Sequence, residues 1–340
     1  MDVIRFTLIL PVFHGGPFLE RALASALRLN SPPDRFELLV SAHVHDEAAK
    51  RIVESQVPLA PFHLECVPCP TDNRSAMLNL ACARAKGEIL VFSDDDCAFP
   101  ADWLAKIDAI FQNDPSAGIV GGEDELARDA RDFDHALDWV IRSLATSAAP
   151  ATAGWGAGRD YPKLWNLAIR RDLALSLGLP GRESPLEVFD ESLAVHEDID
   201  LAKRAQRSGN RIIFAPDVRV EHSRDTTLLS FFRRSFRMAR TARALRVHRL
   251  PHVVLSAFLL AGAALLALSI FLRSAQPVLV VLLSIYALAL LAAGVAAAST
   301  KQRVCALFWV PVLLIALHLA RGTGYLFPWP SEKAKDGTQR

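Results

Sequence analysis

The sequence predicts an α/β domain built on a mostly parallel sheet, followed by a helical membrane region. Two observations carry this. Short apolar runs alternate with stretches of helical periodicity from Phe6 to Ser93. Charge then nearly vanishes, since Val253–Ala320 carries only Arg273, Lys301 and Arg303.

The elements follow in order. Phe6–Val12 reads as a strand ended by Pro11 and the Gly15-Gly16-Pro17 turn, and Phe18–Leu29 has its apolar residues at helical spacing. Phe36–Ser41 is a second strand, Ala48–Glu54 a helix and His63–Val67 a third strand. Ser75–Ala85 is helical and stops at Gly87, and Glu88–Ser93 is a fully apolar strand. Ligands of such sheets bind beyond the carboxyl ends of the strands. The sequence is expected to divide into a domain at 1–227, a basic helical region at 228–251, a membrane region at 252–322 and a tail at 323–340.

Charge follows the same division. Of 38 Lys and Arg, seven lie from Arg273 onward, against only Glu332 and Asp336 among 37 acids, so the preceding part carries a net −4. A chain with 22% charged and 51% hydrophobic residues is not disordered, and its net charge of +1 gives no global attraction to nucleic acid. Five cysteines without regular spacing are not a disulfide framework. The Cys66-Val67-Pro68-Cys69 pair lacks the second pair of a zinc site and is expected to be a reduced cytoplasmic pair. Arg5 and the early strand leave no basic-then-apolar order, so no cleavable signal is expected.

Three uncharged runs follow, Val253–Leu272, Val278–Thr300 and Val304–Ala320. The first two are long enough to span a bilayer. The third is shorter and holds Pro311, so it either spans or dips in and returns. Leu228–Leu250 holds seven arginines and no acid, which places the N-terminal domain in the cytoplasm by the positive-inside rule. Three spans would then leave Lys333 and Lys335 outside, against that rule. Within the arginine-rich segment Leu228, Phe232, Phe236 and Ala239 recur at helical spacing, as in a helix lying among lipid headgroups, or the segment is a solvated charged linker.

Two carboxylate clusters stand out. Ser93-Asp94-Asp95-Asp96-Cys97 follows the most apolar strand, and its oxygen ligands suit Mg²⁺ or Mn²⁺ holding a diphosphate, or else form a solvated turn with a capping Asp. His196-Glu197-Asp198-Ile199-Asp200-Leu201 opens a helix, as a cap or as a carboxylate able to deprotonate an acceptor hydroxyl. His222, at the end of a strand, is a further metal-ligand candidate or a structural histidine. Ala148–Gly158, around Trp155, is a loop over the acceptor site or an ordinary surface loop.

Together these stretches resemble a family 2 glycosyltransferase of GT-A fold, from about Phe6 to Arg249. The resemblance rests on Leu10-Pro11-Val12-Phe13 with Phe18–Leu23, on Ala85–Asp96 ending in an Asp-x-Asp motif, on Trp165–Arg171 with Phe189-Asp190-Glu191, and on His196–Leu201. It implies a Rossmann-like mixed sheet and an inverting transfer from a nucleotide-sugar donor. Asp198 would be the catalytic base. Pro11, Val12, Asp46, Arg74, Asp94 and Asp95 would face the nucleotide sugar. Asp96 and His222 would hold the divalent cation, and Trp155, Asn166 and Glu197 would line the acceptor side. Arg234 and Arg237 could approach the diphosphate, with lipid contact as the other role. The usual acidic turn after the second strand is replaced by Ser41-Ala42-His43-Val44-His45-Asp46, which puts the base contact and the UDP carrier in question.

The expectation is therefore a multi-pass membrane enzyme with a cytoplasmic catalytic domain. It would move one sugar to a lipid-linked or membrane-proximal acceptor in cell-envelope or exopolysaccharide synthesis, with membrane lipids as further partners. A processive synthase is the first alternative, but the Gln-x-x-Arg-Trp motif of such enzymes is missing. A non-catalytic membrane scaffold is the second, and the retained Asp94, Asp96 and Asp198 speak against it.

Overall fold

The structure is a computed structural model that describes residues 3–146, 162–181, 183–193, 197–223, 226–244, 249–301 and 303–327. It forms two compact units, Met1–Ala130 with Leu144–Asp225, and Arg131–Ser143 with Thr226–Arg340. Residues 131–143, which the sequence division puts in the first domain, cluster with the second unit.

In chain order the elements are β1 (Phe6–Val12), α1 (Pro17–Ala26), β2 (Phe36–His43), α2 (Glu47–Gln56), β3 (His63–Cys69), α3 (Arg74–Arg84), β4 (Ile89–Phe92) and β5 (Cys97–Ala98). Then come α4 (Trp103–Asn113), β6 (Ala117–Leu126), α5 (Asp132–Thr146), β7 (Leu167–Arg170), α6 (Arg171–Ser176), α7 (Glu197–Arg207) and β8 (Arg211–His222). The sheet order is β3-β2-β1-β4-β7-β6-β8-β5. The first four strands are parallel, as expected, and so are β6 and β8. By contrast β7 runs antiparallel to both its neighbours and β5 runs antiparallel to β8, so the sheet is mixed.

Burial on both faces explains the unbroken apolar strands. Leu8 and Leu10 of β1 pack with Leu19, Leu23, Leu38 and Trp103, while Ile9 points oppositely towards Leu39, Leu78, Leu90 and Phe92. The strands register so that Val12, Ala42 and Phe92 end near one edge, and the loops that follow carry the candidate site.

The second unit holds most of α5 together with α8 (Leu228–Ala244), α9 (Arg249–Phe271), α10 (Ala275–Lys301) and α11 (Ala306–Leu326). The last three are long and apolar enough to cross a membrane, with mean hydropathy 2.5, 2.7 and 1.6. The apolar stripe of α8 differs from the expected one. Its buried residues are Phe231, Ser235 and Ala239, one helical turn apart, and the helix packs along α11. Arg233, Arg234 and Arg237 lie on its exposed side. Protein covers that stripe.

Candidate active site

The acidic loop after β4 is fixed from both sides. Ser93 Oγ donates to the carbonyl of Trp165 at 2.8 Å, and the Ser223 amide donates to the carbonyl of Asp96 at 2.8 Å. Between these anchors stand Asp94, Asp95 and Asp96, each half-buried. Burial, then the neighbouring charges of Asp96 and Asp94, push the Asp95 carboxyl up to about 7.

His222 reaches this loop because β5 pairs with the end of β8, Cys97 opposite His222. Its Nε2 lies 3.1 Å from Asp96 Oδ1, and its Nδ1 faces Asp124 Oδ2 at 3.5 Å. The Trp165 ring covers it at 5.3 Å between centroids. Ligand atoms of Asp96, Cys97 and His222 lie within 4.8 Å of one another. A carboxylate and an imidazole oriented by a second carboxylate form a donor set that fits Mn²⁺ or Mg²⁺. The buried thiol of Cys97 is pushed well above its ordinary range and is a poor partner for so hard a cation.

α3 links this donor side to α7. Asn73 caps it by accepting from the Ala76 amide and donates to the carbonyl of Glu191. Asn79 grips the backbone of Phe189 in both directions, at 2.9 and 3.0 Å. The cap sets Arg74 at the first helical position, where its guanidinium pairs with Asp94 and lies 3.4 Å from Glu197 Oε1. Burial opposes that charge, yet Asp94, Glu197, Asp198 and Asp96 outweigh it and hold the guanidinium more firmly protonated than usual. Asp198, buried beside Glu197 in the first turn of α7, receives Lys163 Nζ at 2.8 Å on Oδ2.

Asp94, Asp95, Asp96, Arg74, Glu197, Asp198 and His222 thus share one neighbourhood. The other candidates take different places. Asn166 is fully buried: it accepts from Trp103 Nε1 at 3.1 Å and donates to the carbonyls of Glu123 and Val218 at 2.9 and 2.8 Å. Its polar groups are therefore spent on the fold beneath the site and not on an acceptor. Gly122 permits this approach, because a Cβ there would meet Val218 O at 1.7 Å. Asp46 caps α2 through the Ala49 amide and accepts from the Gly15 amide, both at 2.9 Å, so it ties two loops together at the strand ends. Pro11 and Val12 are buried, and what they can offer a ligand is backbone. Arg234 and Arg237 belong to α8 of the second unit. Trp155, His196 and the Ala148–Gly158 loop lie outside the described residues.

Lys163, Asp124 and Trp165 were not singled out by sequence as site residues. The first two have no local signal, since their partners lie on other elements. Trp165 sits within the stretch that carries the family resemblance.

A mixed sheet whose strand ends present an Asp-x-Asp loop, a histidine and a helix-borne acid defines a GT-A fold. Residues 5–241 match the family described as "Glycosyltransferase like family 2", and the chain belongs to that family. It is similar to the succinoglycan biosynthesis protein ExoM of Rhizobium meliloti, 27% identical over 205 residues, covering 60% of this chain and 62% of that protein. It is also similar to a glucosyl-dolichyl phosphate glucuronosyltransferase of Haloferax volcanii, 24% identical over 147 residues, covering 40% and 43%. The chain thus spans less than two thirds of either relative. In fold it resembles a mannosyltransferase from Pyrobaculum calidifontis determined with GDP-Man and Mn²⁺, with a TM-score of 0.60 at 23% identity, covering 95% of this chain and 87% of that one.

Proposed function

We propose that this protein is an inverting glycosyltransferase that moves one sugar from a nucleotide-sugar donor to a lipid-linked acceptor at the membrane surface. The observation that carries this reading is the bridge made by Arg74, which ties Asp94 of the donor loop to Glu197, the neighbour of Asp198. Donor-side acids and a candidate base are thereby held in one buried cluster.

Each residue has a role in that reading. Asp198 accepts the proton of the acceptor hydroxyl as its oxygen attacks the anomeric carbon. Lys163 neutralises and orients this carboxylate until the acceptor arrives. Arg74 keeps Asp94 in position for the sugar-ribose side of the donor. Asp96 and His222 would hold a divalent cation, which would supply neutralising charge for the leaving diphosphate. One displacement inverts the anomeric configuration. The membrane helices keep the site near an acceptor confined to the bilayer, which raises its effective concentration. A cytoplasmic catalytic domain follows from the basic residues that precede α9, and it is where nucleotide sugars are made.

The test is a thermal-shift panel on the detergent-purified chain with UDP-, GDP- and dTDP-sugars, with and without Mn²⁺, beside Asp96→Asn. A ligand that binds the folded state alone raises its melting temperature. A metal-dependent rise with one nucleotide, lost in the variant, supports the reading and names the carrier. No rise with any of them overturns it in favour of a scaffold.

A further inference from the structure

The two ends of α11 are held by elements that both precede the first membrane span. At its start, Arg303 Nη1 lies 2.6 Å from Asp132 and Lys301 Nζ lies 3.1 Å from Asp138, both in α5. Trp309 meets Phe133 of α5 edge-on at 5.1 Å. At its end, Arg243 of α8 donates to the carbonyls of Tyr325 and Leu326 at 2.8 and 2.9 Å. A cation is well placed there, against the negative end of the helix.

Close packing fixes that last turn further. A Cβ on Gly324 would come within 2.5 Å of the Phe236 carbonyl in α8, and one on Gly322 within 2.4 Å of Leu259 in α9. Ser256 Oγ donates to the carbonyl of Gly322 at 2.8 Å.

Length makes the argument quantitative. A straight helix from Ala306 to Leu326 rises about 30 Å, the thickness of the hydrocarbon core. Had α11 crossed, Leu326 would sit level with Ile270 and Phe271, at the far end of α9. Instead Tyr325 and Leu326 share a cleft with Val253, Ser256, Ala257 and Leu260, in the entry half of α9. The helix is also the least apolar of the three and carries Pro311, His318 and Arg321.

We infer that α11 does not cross but lies along the face of the bilayer from which α9 enters, with both its ends at that face, so the chain crosses the membrane twice. The charge pattern agrees. Lys301, Arg303, Lys333, Lys335 and the arginines of α8 then all lie on one face, and Arg273 stands alone on the other. This inference rests on α9 and α10 spanning the membrane and is independent of the catalytic reading.

The test uses the full-length chain in sealed membrane vesicles of both orientations, with Ser274→Cys between α9 and α10 and Ser331→Cys after α11. A membrane-impermeant maleimide mass tag is counted against the parent chain, and detergent lysis checks that each new thiol reacts. The two cysteines are expected to gain their tag from opposite faces. Tagging of both from the same face restores three crossings and overturns the inference. So does a Ser331→Cys thiol reached from both faces or from neither.

Discussion

Lys163 and Asp198 meet at 2.8 Å, Nζ to Oδ2, in a part of the protein where the carboxylate is 8% exposed. The pair joins a residue just before β7 to the first turn of α7. A buried acid with a mobile cation as its partner can be released when a substrate takes that cation's place. Asp198→Asn is expected to lower turnover by about 100-fold or more while leaving donor-induced thermal stabilisation intact. Turnover within tenfold of the parent would show that the base lies elsewhere.

Lys163→Met separates positioning from charge. Loss of the ammonium leaves Asp198 without this partner, and we expect kcat to fall about tenfold with little change in the donor KM. A Lys163→Arg chain should recover most of the rate. A change confined to the donor KM would place Lys163 on the donor instead.

Arg74 spans Asp94 and Glu197, so its removal strands two carboxylates at once. Arg74→Met is expected to cost about 3 kcal/mol of stability, seen in denaturant unfolding, and to abolish nucleotide-dependent stabilisation. Arg74→Lys keeps the charge but cannot span both acids, and should restore stability better than donor binding.

Asn166→Leu tests whether this residue supports the site or touches the acceptor. Leaving Trp103 Nε1 and the carbonyls of Glu123 and Val218 without their partner should cost about 2–4 kcal/mol. The folded fraction should keep its acceptor KM. A normal melting temperature with a raised acceptor KM is the opposite outcome.

Within the second unit, Asp138 is buried and pairs with both Arg142 and Lys301. A double-mutant cycle of Asp138→Asn and Lys301→Met should return a coupling of about 1–3 kcal/mol in detergent unfolding. Strict additivity would mean that the Asp138–Lys301 pair adds nothing to the hold on α5.

How much of this was legible beforehand depended on distance along the chain. The strands β1, β2 and β4 announced themselves because they are buried on both faces and so read as apolar runs, as Ile89–Phe92 does. The Asp94–Asp96 loop stood out as charge placed directly after such a run. Pairings between distant elements left no trace. Nothing around Lys163 points to Asp198, nothing around Asp124 points to His222, and the family resemblance that put Asn166 on the acceptor side does not report its burial. Residues 131–143 were hidden differently. A helix inside one stretch of sequence gives no sign that its apolar face belongs to another unit. Register was unreadable too, since the step from Gly122–Ala215 to Glu123–Arg219 bulges β8 at residues no periodicity marks.

The pairing of Cys97 with His222 has a consequence for biogenesis. One partner leaves the ribosome well over a hundred residues before the other, and long separations of this kind make contacts form late. During synthesis the acidic loop therefore exists for some time as a bare cluster of like charges, without its histidine. The pair closes only once β8 is complete, 31 residues before the first candidate membrane helix begins at Val253. The order of the gene thus lets the sheet finish before the apolar helices are made. A chain that stalls before Arg211 would have most of its sheet and no means of forming the Asp96–His222 pair.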